Sequence, residues 1–142
     1  MNYLDKAIQI ATKAPANQVN KAGKPYILHL LRVMFKMDTE SEMIIAVLHD
    51  IMKDCKGITA YYLKKEGFVE DIVNTLIVLN RHNYIDYEAY ICEVAKNLVA
   101  RKVKMADIMD NINVLRLDTV DEKDLQRSKK YHWAYNYLKI NY

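Results

Sequence analysis

The chain has 142 residues, a formal net charge of +3 and 51% hydrophobic residues, with three glycines and two prolines. This composition favours long ordered elements and excludes a largely disordered chain. The mild positive charge suits a pocket for an anionic small molecule better than a nucleic-acid-binding surface, which normally clusters more Lys and Arg. No opening run resembles a signal peptide and no apolar run is long enough to span a membrane, so we expect no membrane partner.

The two cysteines, Cys55 and Cys92, lack a CxxC spacing. We interpret them as reduced thiols of a cytoplasmic protein, with a single disulfide as the alternative. The chain length is most simply that of one domain, residues 1–142, with a sizeable core. The sequence leaves the oligomeric state open.

The hydrophobic periodicity predicts helices and no strand. The predicted helices, in chain order, are Asn2 to Lys13, Tyr26 to Met37, Ser41 to Cys55, a short helix capped by Thr59 that stops at Gly67, Asp71 to Leu79, Asp86 to about Lys96, Leu98 to Leu115, and an aromatic helix that closes the chain. Capping boxes are expected at Thr39–Glu42 and Thr119–Glu122, and Asp86 is a further N-cap. Residues 17–25 and 81–85 are predicted loops. The predicted fold class is all-α, a compact single-domain bundle of about seven or eight helices.

The helix predicted over 41–55 divides its residues sharply between two faces. Its apolar arc consists of Ile44, Val47, Leu48, Ile51 and Met52. His49, Asp50 and Lys53 share the opposite arc, with Asp54 at its edge. A surface helix normally carries scattered Lys and Glu on that face, whereas this helix carries a pair of residue types that bind metals.

Three predicted helices carry residues that together can form a metal site. His29 lies in the otherwise apolar second helix, His49 and Asp50 are adjacent, and Asp107 lies in the 98–115 helix. Helical spacing can aim these side chains at one point inside a bundle, where a cation offsets the cost of burying two carboxylates. Two imidazoles and two carboxylates suit a divalent metal such as Mn, Fe or Zn, which can activate water and hold a phosphoryl oxygen. Taken one at a time, each residue also has a structural interpretation, as a core histidine or an exposed charge.

The 98–115 helix has two further features. Its predicted apolar arc consists of Met105, Ile108, Met109, Ile112 and Leu115. Asp107, Asp110 and Asn111 lie on the other side. Basic residues in this region suit either a rim for phosphates or a solvated helix face: Arg101, Lys102, Lys104 and Arg116. Lys104 is the best candidate for a phosphate rim because it adjoins Asp107.

Three segments carry a family resemblance: Ala22-Gly23-Lys24-Pro25-Tyr26-Ile27-Leu28-His29, then Leu48-His49-Asp50, then Val103-Lys104-Met105-Ala106-Asp107 followed by Asn111. Their order and context resemble the HD-domain metal-dependent phosphohydrolases. Within that group they are similar to the stand-alone RelA/SpoT-type hydrolases, which remove the 3′-pyrophosphate of guanosine tetraphosphate (ppGpp) or pentaphosphate. The resemblance runs from about Leu4 to at least Leu117. It implies an HD-type domain, alarmone hydrolysis as the activity and Mn²⁺ as the usual metal.

The resemblance also implies roles for individual residues. The four metal ligands match His29, His49, Asp50 and Asp107. Asp54 matches an acidic residue associated with catalysis, and Asn111 matches a substrate contact. Lys21 and Leu117 fall where nucleotide contacts are made.

Three positions depart from the family pattern. Lys53 stands where the family has a Glu thought to position or deprotonate the attacking water, a role that a protonated ammonium cannot fill. Lys53 could instead neutralise a phosphate or pair with Asp54. Asn20 replaces an Arg that packs near the guanine, and Pro15 replaces a His. Three alternatives to ppGpp hydrolysis therefore stay open: another nucleotide or phosphoester substrate, a catalytically impaired metal- and nucleotide-binding protein, or a helical interaction module with a vestigial site.

Overall fold

The computed structural model describes residues 2–13, 25–112 and 117–140, and these residues form helices and connecting loops without a β-strand. The helices are α1 (Tyr3–Lys13), α2 (Tyr26–Phe35), α3 (Glu40–Leu48), α4 (Ile51–Asp54), α5 (Ala60–Lys65), α6 (Glu70–Leu79), α7 (Tyr87–Ala95), α8 (Leu98–Asn111) and α9 (Glu122–Ile140), with a 3-10 turn at Arg81–Asn83. The all-α prediction is confirmed. The loop predicted over 17–25 lies outside the described residues, apart from Pro25.

Helix α3 lies at the centre of the fold. It begins at the predicted capping box, in which the Thr39 hydroxyl accepts from the Glu42 backbone N–H and the Glu42 carboxylate accepts from the Thr39 N–H, both at 3.2 Å. Residues 44–48 are all buried, and α1, α2, α6 and α8 pack around them. Because α3 is enclosed by other helices, its C-terminal end opens into the interior of the bundle rather than into water.

The prediction of a single helix over 41–55 is wrong, because the helix is interrupted at His49 and Asp50. Asp50 has φ −104° and ψ 4°, outside the helical range, and α4 starts only after it. The Ala46 carbonyl accepts both the backbone N–H of His49, at 3.4 Å, and its ring Nδ1–H, at 2.6 Å. These short-range bonds interrupt the regular helical hydrogen bonding at the end of α3. The side chains of His49 and Asp50 both face the interior of the bundle at this break.

The start of α9 also differs from the prediction. Helix α9 begins at Glu122, so Thr119 and Glu122 do not form its capping box. Asp121 and Asp124 form one instead: the Asp121 carboxylate accepts from the Asp124 N–H at 2.9 Å, and the Asp124 carboxylate accepts from the Asp121 N–H at 3.0 Å. Asp is a preferred N-cap residue, and Asp121 is directly adjacent to the first helical residue.

Two other predicted N-caps are confirmed. Thr59 accepts from the backbone N–H of Tyr62 at 3.1 Å, and Asp86 accepts from that of Ala89 at 2.8 Å. Helix α8 ends at Asn111, earlier than predicted, and residues 113–116 lie outside the described part of the chain. Cys55 and Cys92 are free thiols, as expected. None of the helices in the described ranges combines the length and apolar character that crossing a membrane requires.

Candidate metal centre

Four side chains from separate elements converge inside the bundle. His29 comes from α2, His49 from the C-cap of α3, Asp50 from the break before α4, and Asp107 from the middle of α8. Each offers one ligand atom, and these four atoms lie within 4.8 Å of one another. His29, His49 and Asp107 are buried, and Asp50 is partly exposed. The structure thus brings together the four residues that the sequence nominated as metal ligands.

The spacing of the ligand atoms fits a divalent cation. Nε2 of His29 and Nε2 of His49 lie 2.8 Å and 3.1 Å from Oδ1 of Asp107, and Nε2 of His49 lies 3.3 Å from Oδ2 of Asp50. Ligands at about 2.1 Å from one ion have neighbours roughly 3 Å away. The donor set of two imidazoles and two carboxylates also has the chemistry that Mn, Fe or Zn accepts. The residues present therefore fit such a metal.

A hydrogen bond at Nδ1 orients the imidazole ring of each histidine. Nδ1 of His49 donates to the Ala46 carbonyl at 2.6 Å, and Nδ1 of His29 donates to Oδ2 of Asp110 at 2.5 Å. Each ring therefore points Nε2 at the carboxylate of Asp107, where a lone pair can bind a cation.

The electrostatics of the cluster favour charged carboxylates. Burial alone would raise the pKa of the Asp107 carboxyl, but the Lys104 ammonium and His49 outweigh it and hold that pKa well below its usual range. His49 does the same for the pKa of Asp50. Burial disfavours the charged form of His29, yet hydrogen bonds to Asp107 and Asp110 raise its pKa. The neighbouring carboxylates raise the pKa values of both imidazoles despite burial, which favours their protonated forms when no metal is bound.

Asp110 and Arg32 are site residues that the sequence interpretation missed. Asp110 lies one turn after Asp107, is buried, and accepts from His29. Arg32 lies one turn after His29 and holds Asp110 through two hydrogen bonds, from Nε to Oδ1 at 2.6 Å and from Nη2 to Oδ2 at 3.0 Å. In the sequence, Arg32 follows His29 by three residues, just as Asp110 follows Asp107 by three. This shared spacing places each pair on one helix face and could have indicated the contact.

Tyr26 is a third residue that was missed as part of the site. Its hydroxyl donates a hydrogen bond to Oδ2 of Asp50. Burial and the negative charge of Asp50 raise the pKa of this hydroxyl well above its ordinary value, so it stays a donor. The available signal was its place on the first turn of α2, three residues before His29.

Lys104 is buried inside the centre and does not stand on an open rim. Its ammonium donates to Oδ2 of Asp107 at 2.8 Å and lies 5.2 Å from the centroid of the Tyr90 ring. The other basic residues described in this region are structural. Lys102 binds Glu42 at 2.9 Å, and Arg101 donates to the Ala95 carbonyl from the interior of the fold. A rim that combines Arg101 and Lys102 with Lys104 is therefore excluded, and Arg116 lies outside the described residues.

The apolar arc predicted for α8 is only partly correct. Ile108 is buried, but Met109 is half exposed, and the face that packs inward carries Lys104, Asp107 and Asp110. Polar side chains occupy this buried face because they bind one another and the histidines of the centre.

Lys53 and Asp54 lie on α4, at the edge of the centre. The Lys53 ammonium is 4.0 Å from Oδ1 of Asp50, and its side chain is 38% exposed. Asp54 is half-buried, and burial together with the charge of Asp50 raises the pKa of its carboxyl. The ion-pair partner of Lys53 is thus the candidate ligand Asp50, and not Asp54 as the sequence allowed.

Only some of the residues predicted to contact the substrate lie in the described part of the chain. The Asn111 amide donates to Oδ1 of Asp107 at 3.1 Å from an exposed position. Leu117 is half-buried in the segment that follows α8. Asn20 and Lys21, like Pro15, lie outside the described residues.

A solved structure of a metazoan ortholog of SpoT, described as hydrolysing ppGpp, superposes on the chain with a TM-score of 0.78. The superposition covers 99% of this chain and 85% of that structure, at 20% sequence identity. This chain has the fold of that SpoT ortholog. The predicted HD-type fold is confirmed.

A curated protein of Aquifex aeolicus, guanosine-3′,5′-bis(diphosphate) 3′-pyrophosphohydrolase, is 29% identical to the chain over 125 residues. The match covers 79% of this chain but 18% of that protein, so the chain spans about a fifth of the relative's length. No protein-family model matches the chain. The predicted resemblance to SpoT-type proteins is confirmed by these two likenesses.

Proposed function

We propose that the chain is a metal-dependent phosphohydrolase that removes the 3′-pyrophosphate of guanosine tetra- or pentaphosphate. The observation that carries this proposal is the convergence of His29, His49, Asp50 and Asp107, whose ligand atoms lie within 4.8 Å of one another. The SpoT ortholog is described as hydrolysing ppGpp, and the Aquifex protein is a guanosine-3′,5′-bis(diphosphate) 3′-pyrophosphohydrolase, which supports the choice of nucleotide.

The four converging residues would hold the metal, for which we propose Mn²⁺. A divalent cation bound there would act as a Lewis acid: it would lower the pKa of water, so that a nucleophile is available near neutral pH, and would polarise a phosphoryl oxygen. His49 and His29 would each present Nε2, since their Nδ1–H groups are engaged by Ala46 and Asp110. Tyr26 would keep the Asp50 carboxylate turned toward the same point.

Asp54 would act as the general acid–base group of the reaction. Hydrolysis joins the water oxygen to the phosphorus next to the 3′ oxygen, breaks the bond between that phosphorus and the 3′ oxygen, and returns a proton to the 3′ oxygen. Because burial and Asp50 raise its pKa, Asp54 exchanges a proton closer to neutral pH than an ordinary carboxyl does. Lys53, near Asp50, would face the negative charge of the phosphates.

The remaining predicted contacts form part of the same proposal. Asn111 and Lys104 each donate a hydrogen bond to Asp107 and would contact the substrate beside it. Leu117, Lys21 and Asn20 remain predicted nucleotide contacts. A cytoplasmic location and a single domain of residues 1–142 remain predictions as well.

The experiment is turnover of a nucleotide panel by the protein loaded with Mn²⁺. The panel contains guanosine tetraphosphate, guanosine pentaphosphate, GTP and adenosine nucleotides with and without a 3′ phosphate. We expect turnover of the guanosine 3′-pyrophosphates, loss of turnover with a chelator, and none in His49→Ala. Preferential turnover of a nucleotide without a 3′-pyrophosphate would reassign the substrate.

Lys53 favours one second candidate, a metal- and nucleotide-binding protein without turnover. Its ammonium is 4.0 Å from a ligand carboxylate, where positive charge competes with a metal and cannot deprotonate water. Nucleotide binding that persists without turnover under Mn²⁺, Fe²⁺ and Zn²⁺ would favour this candidate. Turnover that His49→Ala abolishes would remove it.

A further inference from the structure

His29 is held at both of its ring nitrogens by carboxylates of the same helix. Nε2 lies 2.8 Å from Oδ1 of Asp107, and Nδ1 lies 2.5 Å from Oδ2 of Asp110. The imidazole is 2% exposed, so water does not compete for either nitrogen. One carboxylate belongs to the candidate ligand set, whereas the other lies behind the ring and does not.

The carboxylate behind the ring is itself fixed in orientation. Arg32 donates from Nε to Oδ1 of Asp110 at 2.6 Å and from Nη2 to Oδ2 at 3.0 Å. A fork of two parallel bonds sets the plane of a carboxylate as well as its position. The Arg32 side chain is 38% exposed and that of Asp110 8%, so the chain of contacts runs from the surface of the bundle to the buried ring.

This arrangement decides which nitrogen of His29 can bind a metal. An ionised carboxylate only accepts hydrogen bonds, so both ring nitrogens carry protons while no metal is bound. A metal held by Asp107 would take the place of the proton on Nε2, and Asp110 would then keep the remaining proton on Nδ1 and leave the lone pair on Nε2. The partner of His49 is different, because its Nδ1 donates to the neutral backbone carbonyl of Ala46. A charged partner makes the imidazole a stronger electron donor than a neutral carbonyl does. The two imidazoles of the centre are therefore unequal.

We propose that Asp110 and Arg32 are positioning residues that fix the tautomer and orientation of His29 and thereby raise the metal affinity of the centre. This inference rests on the metal-binding role given to His29 under the proposed function. It requires no particular nucleotide, so metal binding tests it separately from hydrolysis. A purely structural bridge between α2 and α8 would stabilise the fold without changing metal affinity.

The test measures the dissociation constants of Mn²⁺ and Zn²⁺ by calorimetry, without nucleotide, in four proteins. These are wild type, Asp110→Asn, Arg32→Gln and Lys102→Met. Lys102→Met is the matched control, since it removes another ion pair of α8, to Glu42 at 2.9 Å, away from the ligand atoms. We expect Asp110→Asn to weaken metal binding by roughly 10- to 100-fold, Arg32→Gln to weaken it less, and the control to leave it unchanged.

A spectroscopic measurement gives a readout that a structural bridge would not change. In the Zn²⁺-loaded wild-type protein, long-range ¹H–¹⁵N spectra should show the His29 proton on Nδ1, shifted downfield and slow to exchange. The Arg32→Gln variant should keep this signal but exchange it faster, and Asp110→Asn should move it upfield, toward the signal of His49.

The outcomes separate cleanly. Metal affinity in Asp110→Asn equal to wild type, or an equal loss in the Lys102→Met control, overturns the proposal. If Asp110→Asn does not fold, Arg32→Gln decides by the same criterion, because its side chain is partly exposed. Wild-type protein that binds no metal overturns the proposal together with the metal centre. Protein that binds metal in the expected order but hydrolyses no nucleotide leaves this proposal standing and contradicts the proposed activity alone.

Discussion

The hydroxyl of Tyr26 donates a hydrogen bond to Oδ2 of Asp50. The two residues come from different elements, the first turn of α2 and the break between α3 and α4. Asp50 occupies the N-cap position of α4, yet its carboxylate contacts Tyr26 and His49 on the interior side. The Tyr26 hydroxyl therefore holds a candidate ligand in the orientation that the metal centre needs.

The Tyr26→Phe variant tests this relationship. A hydrogen bond to a charged group contributes about 1.5–3 kcal/mol. Losing it should weaken Mn²⁺ binding by about tenfold, since tenfold corresponds to ~1.4 kcal/mol. Calorimetry measures the change. Tyr84→Phe is the control, because it removes a half-buried hydroxyl that donates to the Val78 carbonyl at 3.0 Å, outside the metal centre. Equal metal affinities in wild type and Tyr26→Phe would show that Asp50 does not need this bond.

The Lys53→Glu variant should be faster than wild type. The change removes an ammonium 4.0 Å from Oδ1 of Asp50 and introduces a carboxylate that can assist deprotonation of water. Positioned acid–base groups contribute about 10²- to 10⁴-fold, so we expect kcat to rise by about tenfold or more. Steady-state kinetics with guanosine tetraphosphate measure the change.

The control for that experiment is Lys56→Glu, an equal change of charge at an exposed position just beyond α4. It should leave kcat unchanged. A fall in kcat in Lys53→Glu would mean that the Lys53 ammonium binds a phosphate in the reaction.

The cap of α9 can be tested through stability alone. Asp121→Ala removes the side chain that accepts from the Asp124 N–H at 2.9 Å and should lower the free energy of unfolding by about 1 kcal/mol. Thr119→Ala, three residues before the first helical residue, should leave it nearly unchanged. Urea unfolding at neutral pH measures both. A larger loss in Thr119→Ala than in Asp121→Ala would restore the cap that the sequence suggested.

The ion pair of Glu42 and Lys102 should make stability depend on pH. The hydrogen bond from Lys102 lowers the pKa of the Glu42 carboxyl below its ordinary value of 4.5. A lowered carboxyl pKa in the folded state contributes stability above the unfolded pKa, and this contribution is lost as the pH falls through the folded pKa. The difference in Tm between wild type and Lys102→Met should therefore be largest above pH 5 and shrink below pH 4.5.

Thermal unfolding of both proteins at low ionic strength, from pH 7 down to pH 3, measures that difference. Low salt matters because the pair is partly exposed and screened. A difference in Tm that stays constant over this range would show that the charge of Glu42 does not contribute to the pair.

Much of the fold was predictable because its signals are local. Apolar periodicity and capping side chains fixed α1, α2 and α5 to α7 to within a few residues, and the Thr39–Glu42 box set the start of α3. The convergence of the four candidate ligands was also predictable, since each residue type and its order along the chain could be read directly.

What was missed depends on contacts between distant parts of the chain. The break at His49 follows from two bonds to a single carbonyl, that of Ala46, which periodicity does not reveal. Asp110 and Arg32 are 78 residues apart, and their pairing with His29 exists only once α2 and α8 meet. The packing of α2 against α8 also buries the polar face of α8 and leaves Met109 exposed.

The most direct test of the proposed activity is identification of the products formed from guanosine tetraphosphate. The Mn²⁺-loaded protein is incubated with the nucleotide, Mn²⁺ is removed with a chelating resin, and ³¹P NMR then identifies each phosphorus, with His49→Ala as the blank. Equal amounts of GDP and pyrophosphate, absent from the blank, are the predicted result. Release of inorganic phosphate, loss of phosphate from the 5′ side, or an unchanged nucleotide would contradict the assignment of this site to 3′-pyrophosphate hydrolysis.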